Sequence, residues 1–404
     1  MMRILLLGEY SNVHNTLAKG LRALGHEVTV ASNGDFWKNY PRDIDLERKP
    51  GKLGGLMLMA KVYTMLPQWR NFDVVQLINP MFIELKAERL FPIYRYLRRH
   101  NKKVVLGAYG MDWYWVHELI DRKPLRYSDF NFGDEIRTDE AALKEYRDWL
   151  GTAKERLNKE IANTCDGIVT GLYEYDVCYR PNFPQKTSFI PFPIDRQTDS
   201  TAQQGTSIKK MPNCETRMPN CETRMPNCET RMSNSSFQLP VKIFIGISKG
   251  RSKYKGTDIM LRAAEDVQAR YPDKLQLIKA DGIPFDTYQH LMDGSDAILD
   301  QLYSYTPAMN ALLAMSKGII CIGGGEPENY EILNERELRP IVNVLPNYDS
   351  VYHELEQLVL HPERIAELKR QSIEYVNRHH DYIKVARQYE QFYASLAQSS
   401  GTLA

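Results

Sequence analysis

The chain of 404 residues is too long for one ordinary hydrophobic core, and its hydrophobic content of 43% favours two well-packed domains. Its 52 basic and 51 acidic residues nearly cancel, leaving a formal net charge of +1. This balance excludes the strong positive field typical of nucleic-acid-binding proteins, so no nucleic-acid partner is predicted.

The first residues, MMRILLLGEYSN, turn polar too early for a secretory signal. No later run reaches the ~20 apolar residues that a membrane span needs, so a cytoplasmic location is expected. Three of the six cysteines lie in a repeated heptad whose spacing matches no zinc pattern. The cysteines therefore predict neither a disulfide framework nor a metal site.

The chain opens with a predicted βαβ unit, in which a buried strand at 3–7 is followed by a helix and a second strand at 28–31. The intervening loop has one glycine, so an NAD-type G-x-G-x-x-G fingerprint is missing. Open α/β sheets bind ligands at the carboxyl ends of their strands. The candidates in this position are Gly8, Glu9, Tyr10, Ser11 and His14. His14 can equally be a helix-surface histidine.

Further strands are predicted at 74–78 and 104–107, and the second runs into AYGMDWYWVHEL. Flat aromatic rings can stack on sugar faces, and a neighbouring carboxylate can orient hydroxyl groups. The candidates for such contacts are Gly110, Asp112, Trp113 and His117. Core packing of the tryptophans is the alternative interpretation.

One long charged helix is predicted over 138–163, then a strand at 167–170 and a polar loop with Tyr173, Glu174 and Tyr175. A proline-marked crossover at 188–195 leads into a linker rich in Gln, Ser, Thr and Gly. Within it, MPNCETR occurs three times over Met211–Arg231. Each unit contains a helix-hostile proline and one apolar residue, so it cannot form a coiled-coil seam. We interpret it as a tandem duplication in an exposed loop.

The second half repeats the alternation of strands and helices, beginning with a buried strand at 242–247. A basic loop follows it, with Lys249, Arg251, Lys253 and Lys255, and Thr257 is the expected N-cap of the next helix. Backbone N–H groups and the helix dipole converge at such a terminus, which predicts a diphosphate site. A solvated basic loop is the alternative. A later strand at 319–322 runs into GGGEPE, where glycines allow a ligand to approach the backbone.

Two consecutive α/β halves and these motifs resemble a GT-B glycosyltransferase over nearly the whole chain. The most specific matches are Gly250-Arg251 with Lys255-Gly256, and Ala314-Met315-Ser316-Lys317-Gly318. The chain is similar to the nucleotide-sugar-dependent retaining family of bacterial polysaccharide biosynthesis, glycosyltransferase family 4 or group 1. The resemblance implies two Rossmann-like domains facing across a cleft, and it implies that Arg251 and Lys255 hold the donor diphosphate.

The chain departs from that family at two positions. The family has two glutamates eight positions apart that contact the donor sugar and ribose, and Tyr305 and Leu313 stand there instead. Neither accepts hydrogen bonds as a carboxylate does. Nearby polar groups and glycines complete the predicted donor site, which comprises Gly250, Arg251, Lys255, Gly256, Asp300, Gln301, Gly324, Glu326 and Glu328.

The predicted function is transfer of a sugar from a nucleotide-sugar donor to a saccharide or lipid-linked acceptor, with neither cofactor nor obligatory metal. The predicted domains are an acceptor domain (1–187), a crossover and linker (188–240), a donor domain (241–380) and a C-terminal helix packing back on the first domain (381–404). Asp112 and His14 are the catalytic candidates. Asp112 would be a general base if the reaction inverts the anomeric configuration of the sugar. It would orient an acceptor hydroxyl if the reaction retains that configuration.

Two alternatives stay open at this stage. A non-catalytic carbohydrate- or nucleotide-binding protein with the same fold fits the missing glutamates, because fold does not fix function. Peripheral contact with the inner face of the cytoplasmic membrane is the second. The basic segment that suggests it contains Tyr94, Arg95, Leu97, Arg98, Arg99, Lys102 and Lys103, and a solvated helix end explains the same residues.

Overall fold

The computed structural model describes residues 1–196, 240–247 and 252–398. Strands and helices alternate along both halves, as predicted. The strands are β1 (Arg3–Leu7), β2 (Glu27–Ser32), β3 (Ile44–Asp45), β4 (Val74–Leu77), β5 (Lys103–Ala108), β6 (Asn131–Phe132), β7 (Glu135–Ile136), β8 (Gly167–Thr170), β9 (Thr187–Phe189), β10 (Val241–Ile247), β11 (Leu275–Asp281), β12 (Ala297–Leu299), β13 (Ile320–Gly323) and β14 (Val342–Asn343).

The helices cover the faces and edges of the sheets. They are α1 (Val13–Ala23), α2 (Gly51–Met65), α3 (Ala87–His100), α4 (Trp113–Asp121), α5 (Glu140–Trp149), α6 (Ala153–Thr164), α7 (Tyr173–Tyr179), α8 (Ser252–Lys255), α9 (Thr257–Arg270), α10 (Phe285–Met292), α11 (Met309–Ser316), α12 (Pro327–Ile332), α13 (Tyr348–Leu360), α14 (Glu363–His379) and α15 (Tyr382–Gln398). No helix among the described residues is long and apolar enough to cross a membrane.

Two parallel sheets form the framework. The first has the strand order β3-β2-β1-β4-β5-β8-β9, and the second has the order β11-β10-β12-β13-β14. Central strands are buried on both faces, which explains why β1 and β10 read as continuous apolar runs. In each sheet the strand order reverses beside the first strand, between β1 and β4 and between β10 and β12. The crevices at these switch points are where doubly wound sheets bind ligands.

The predicted long helix over 138–163 is wrong, because two helices occupy that stretch. α5 ends at Trp149 and α6 begins at Ala153. Between them Gly151 has a φ of 70°, a left-handed conformation that glycine adopts without strain and that ends a helix. The prediction also missed α2, in which apolar residues occur on both the buried and the exposed side, so that its sequence shows no helical period.

The C-terminal helix α15 returns to the first sheet's domain and packs against α1. A Cβ atom on Gly20 of α1 would lie 2.6 Å from the backbone oxygen of Tyr382, so the absence of a side chain permits this close approach. The Tyr393 hydroxyl donates to Gln76 Oε1 at 2.6 Å. α15 thereby becomes part of the first domain's core, although the second sheet separates the two in sequence.

The crossover predicted at 188–195 begins as the edge strand β9, and its apolar residues Ile190, Phe192 and Ile194 are buried. The three MPNCETR repeats lie outside the described residues. The basic segment proposed for membrane contact does not present a lipid-facing surface, since Tyr94 and Leu97 are buried. Four of its five basic side chains pair with carboxylates, namely Arg95 with Glu160, Arg98 and Lys103 with Asp166, and Lys102 with Asp73.

Candidate functional site

The second half of the predicted basic loop forms the one-turn helix α8 (Ser252–Lys255), which directly precedes α9. Gly250 and Arg251 lie outside the described residues, whereas Lys255 and Gly256 lie within them. Gly256, rather than the predicted Thr257, is the N-cap, with a φ of 69°. A Cβ atom here would also approach Leu302 Cβ to 2.6 Å, so only glycine fits. The backbone N–H of Leu302 donates to Lys255 O at 2.9 Å, which fixes this loop against the end of β12.

Asp300 and Gln301 follow β12 directly and stand beside this loop. Burial raises the pKa of the Asp300 carboxyl, and the nearby Lys255 ammonium opposes that rise. Ile322 of β13 accepts a hydrogen bond from the Asp300 backbone at 3.0 Å. The structure therefore brings the predicted donor residues Lys255, Gly256, Asp300 and Gln301 together at the carboxyl ends of adjacent strands.

Gly324 follows β13 and packs against the segment 304–306. A Cβ atom on Gly324 would lie 2.0 Å from the backbone oxygen of Ser304, so no side chain fits there. Glu326 donates its backbone N–H to Tyr305 O at 3.1 Å. The glycines after β13 thus let two loops of the second domain meet at the domain interface.

Glu326 and Glu328 were predicted to contact the donor. In the structure both carboxylates form ion pairs with Arg126 of the first domain. Arg126 Nη2 lies 2.6 Å from Glu326 Oε2, and Arg126 Nη1 lies 2.5 Å from Glu328 Oε1. Partial burial raises the pKa of Glu328, but the Arg126 guanidinium outweighs it and holds that pKa below its usual range. The Tyr127 hydroxyl donates to Glu326 Oε1 at 2.6 Å. In this structure the two glutamates tie the domains together.

Tyr305, which replaces a family glutamate, belongs to the same interface. Its ring lies 4.8 Å from that of Tyr127 and 6.0 Å from that of Tyr173. Its hydroxyl accepts the Arg126 backbone N–H at 2.7 Å. The residue is therefore part of an aromatic contact between the domains.

Glu174, at the start of α7, makes the most complete contact across the interface. Its Oε1 accepts from Ser304 Oγ at 2.9 Å, from Tyr305 N at 2.7 Å and from Thr306 N at 3.0 Å. Its Oε2 accepts from Thr306 Oγ1 at 2.6 Å. Burial raises the pKa of this carboxyl, while the hydrogen bonds counteract that rise. One side chain of the first domain thereby fixes the loop that follows the donor-side residues Asp300 and Gln301.

On the first domain, a cavity of about 920 Å³ opens at the carboxyl ends of β1, β2 and β4. The predicted acceptor residues Gly8, Glu9 and Tyr10 line it. Glu9 accepts the backbone N–H of Asn15 at 2.8 Å, at the start of α1, and burial raises the pKa of its carboxyl to about 8. Gly110 lies under the Tyr10 ring, since a Cβ atom there would come 3.3 Å from it.

Ser11 lies beside this group but serves the neighbouring loop. Its backbone N–H donates to Asp35 Oδ2 at 2.8 Å, and its hydroxyl accepts from Lys38 Nζ at 3.3 Å. These bonds fix the loop after β2 next to the cavity. Ser11 therefore positions that loop.

The catalytic role predicted for His14 is contradicted by its placement. The ring is fully buried, and its Nδ1 lies 2.8 Å from Gly8 O. A carbonyl only accepts, so Nδ1 carries the proton and Nε2 accepts from Gln76 at 3.2 Å. Burial lowers the pKa of His14 to about 3, which keeps the ring neutral. His14 is thus a core histidine that links α1 to β4, and through Gln76 to Tyr393 of α15.

Asp112 is likewise a structural residue in this fold. It is the N-cap of α4, and its carboxylate accepts from Trp115 N at 2.8 Å and from the Tyr179 hydroxyl at 2.6 Å. It is fully buried, and this burial raises the pKa of the carboxyl to about 7. The residues that line the 920 Å³ cavity include its neighbour Met111 but not Asp112 itself. The predicted contact with substrate is therefore not supported.

The acceptor role predicted for Trp113 and His117 is also not supported. Their rings stack at 4.3 Å, and Lys159 Nζ of α6 lies 4.0 Å above the Trp113 ring. Neither residue lines the cavity. The structure instead shows the alternative interpretation, in which these aromatic rings pack between α4 and α6.

The sequence reasoning missed the residues that join the domains. Glu174 had a signal, because it stands in the polar loop after a predicted strand. Arg126 and Tyr127 had none, since they lie between helices in a stretch without periodicity. Their partners are about 200 positions further along the chain.

Solved structures with similar folds align over nearly the whole chain. Sucrose-phosphate synthase from Thermosynechococcus elongatus superposes with a TM-score of 0.58 at 13% identity, covering 99% of this chain and 100% of that one. HepE from Anabaena, in complex with UDP and glucose, superposes with a TM-score of 0.54 at 13% identity, covering 98% of this chain and 100% of that one. The catalytic domain of starch synthase IV from Arabidopsis thaliana, bound to ADP and acarbose, superposes with a TM-score of 0.55 at 10% identity, covering 98% of this chain and 99% of that one.

No family model matches the sequence, and no curated protein matches it either. Identities this low carry information about the fold alone. The superpositions, together with the two parallel sheets and their switch points, confirm the predicted architecture. The chain has the GT-B fold, with two doubly wound Rossmann-like domains.

Proposed function

We propose that this protein is a glycosyltransferase that moves a sugar from a nucleotide-sugar donor to a saccharide or lipid-linked acceptor in polysaccharide biosynthesis at the cytoplasmic face of the membrane. The observation that carries the proposal is the placement of two different sites at the switch points of two joined domains. A cation and a carboxylate stand at one, and a large cavity with polar groups opens at the other. Proteins of the same fold bind UDP with glucose and ADP with acarbose.

The donor would bind the second domain at Lys255 and Gly256. A diphosphate there meets the N-terminus of α9, whose 14 residues supply a full helix dipole, together with the Lys255 ammonium. Arg251 and Gly250, outside the described residues, belong to the same proposed contact by their position in sequence. Catalysis would consist of positioning the two substrates and neutralising the leaving diphosphate.

The acceptor would bind the first domain in the 920 Å³ cavity, which is large enough for a saccharide. Glu9 offers the cavity a carboxyl whose pKa is about 8. Its two oxygens accept the backbone N–H groups of His14 and Asn15 at the start of α1, which fixes the carboxyl in the wall of the cavity. We therefore assign the acceptor contact to Gly8, Glu9 and Tyr10.

A donor-panel assay tests this function. Purified protein is incubated with UDP-, GDP- and ADP-sugars, and release of the nucleoside diphosphate is measured with and without a saccharide acceptor. Acceptor-dependent release with one donor supports the proposal. Failure of every nucleotide to bind in calorimetry would refute it.

The second candidate is a binding protein with no turnover. It is favoured by the environment of Tyr305, Glu326 and Glu328, because these residues contact Arg126 and Tyr127 of the other domain. The carboxylates that would contact a donor sugar are thereby occupied. Tight nucleotide-sugar binding without release of the diphosphate under any acceptor would select this alternative.

A further inference from the structure

The helix α2 exposes a stripe made mostly of large apolar side chains. Its inner side packs through Gly54, Leu58 and Val62, which are buried one turn apart. On the opposite side four large apolar residues are exposed, namely Leu53 (68%), Leu56 (56%), Met57 (51%) and Tyr63 (43%). At about 100° per residue these four positions fall within a sector of about 120°, together with exposed Ala60 and the polar residue Thr64. An apolar helix of this kind is normally covered by protein or lipid.

Basic side chains border the stripe. Lys52 and Lys61 flank it on the two sides of the helix, by the same angular count. Between positions 48 and 72 the sequence contains five basic residues and no acidic one, namely Arg48, Lys49, Lys52, Lys61 and Arg70. An apolar face with a basic border is the pattern of helices that lie in the interface of an anionic bilayer.

This stretch differs from the basic segment at the end of α3. There four cations, Arg95, Arg98, Lys102 and Lys103, pair with carboxylates of neighbouring elements, and the apolar residues Tyr94 and Leu97 are buried. Along α2, Lys61 donates to a backbone oxygen, that of Asp45, at 2.7 Å. The Asp45 carboxylate near Lys61 is hydrogen-bonded to Arg42, and Arg48, ahead of the helix, pairs with Glu84 at 3.6 Å. The two basic residues that flank the stripe, Lys52 and Lys61, are exposed.

The apolar stripe lies next to the cavity. Arg48 lines the cavity and donates from Nη2 to the backbone oxygen of Gly51, the first residue of α2, at 3.4 Å. Phe36 also lines the cavity and is 61% exposed, and its neighbour Trp37 is 63% exposed. An aromatic pair and the start of the helix thus border the opening of the cavity.

We propose that α2, together with Phe36 and Trp37, docks the protein on an anionic membrane surface, so that the cavity receives a lipid-linked acceptor from the bilayer. The second clause rests on the proposed function, whereas the docking itself does not. A second copy of the chain is disfavoured as the occupant, because a two-fold contact through this face would oppose its basic borders to each other. A bilayer with anionic headgroups satisfies both the stripe and its borders.

Vesicle sedimentation tests the docking. Wild-type protein is expected to bind vesicles of phosphatidylcholine mixed with phosphatidylglycerol, and to bind phosphatidylcholine vesicles weakly. Leu56→Gln combined with Met57→Gln should weaken binding about tenfold or more, since two exposed apolar side chains lose their burial in lipid. Lys52→Gln combined with Lys61→Gln should abolish the preference for anionic lipid.

Arg95→Gln combined with Lys102→Gln is the matched control, because it removes the same number of charges from the paired segment and should leave vesicle binding unchanged. All the altered side chains are exposed, and a melting curve for each variant checks the fold. Equal vesicle binding by wild type and the Leu56/Met57 variant would overturn the proposal. The proposal would also be overturned if sedimentation velocity showed that the wild-type protein is a dimer and that the Leu56/Met57 variant is a monomer.

Nucleotide calorimetry on the same proteins separates the two proposals. Nucleotide binding and turnover of a soluble saccharide without vesicle binding would refute the membrane face and leave the proposed function standing. Vesicle binding without any nucleotide binding would support the membrane face and refute the proposed function.

Discussion

Replacing Glu174 by alanine should destabilise the protein and weaken nucleotide binding together. The side chain accepts four hydrogen bonds from residues 304–306 across the domain interface. Its removal leaves the buried backbone N–H of Tyr305 without an acceptor, and leaves that of Thr306 with only the Ser304 hydroxyl at 3.4 Å. Each unsatisfied buried donor costs about 1–3 kcal/mol. Breaking a buried charged contact costs about 3–5 kcal/mol, so we expect a loss in that range.

Glutamine at position 174 should behave differently from alanine. Its amide oxygen can keep the three bonds that Oε1 accepts, and its amide nitrogen can donate to Thr306 Oγ1, which also accepts. We expect a loss of only about 1 kcal/mol, the difference between a charged and a neutral hydrogen bond. Glu160→Ala is the control, because its partner Arg95 is 63% exposed and ion pairs at the surface contribute about 0–1 kcal/mol.

Calorimetric melting of the three variants and titration with UDP or ADP give the two readouts. Alanine should lower both the melting temperature and the nucleotide affinity, since the segment 304–306 follows Asp300 and Gln301 directly. The reasoning is refuted if Glu174→Ala melts like wild type, or if the alanine and glutamine variants lose the same stability. A stability loss with unchanged nucleotide affinity would separate the domain contact from the donor site.

Three further predictions concern charge, pH and the repeat. Lys255→Ala should weaken nucleotide binding by about 1.5–3 kcal/mol in calorimetry, the value of one charge-assisted contact, whereas Lys274→Ala at the other end of the second sheet should not. Because the folded protein lowers the pKa of His14 from 6.5 to about 3, the unfolded chain binds more protons below pH 6.5, and stability falls as the pH drops. When the pH is lowered from about 7.5 to 5, the free energy of unfolding measured with urea should therefore fall by about 2 kcal/mol less for His14→Gln than for wild type. An equal fall in both proteins would contradict the assignment of His14 as a neutral core residue. Excising Met211–Arg231 should leave melting and turnover nearly unchanged, since loop closure costs only about 0.6 kcal/mol per doubling of length, and a large drop in either would show that the repeat makes contacts.

The local patterns in the sequence determined the architecture. β1 and β10 are continuous apolar runs because parallel strands are buried on both faces, and each polar or glycine-rich loop after them marks the carboxyl end of a strand. These rules place Gly8, Glu9, Lys255 and Gly256 at the switch points of two sheets. Such features depend on neighbours within one βα unit, so the chain's order alone reveals them.

Side-chain orientation was not determined by those patterns. Asp112 and His14 both stand in loops or helix starts at the expected edge, yet each turns inward and hydrogen-bonds within the core. A carboxylate near a helix start can cap that helix or face a ligand, and the sequence does not distinguish the two. Packing of α4 on α7 and of α15 on α1 decides the matter.

Contacts between the domains were decided by the tertiary structure alone. Arg126 meets Glu326 across 200 positions of chain, and Glu174 meets Tyr305 across 131. Periodicity and spacing report only what lies within a few turns of a helix or along one strand. Because two separately folded sheets bring these residues together, their pairing depends on the shapes of both domains, which no local pattern encodes.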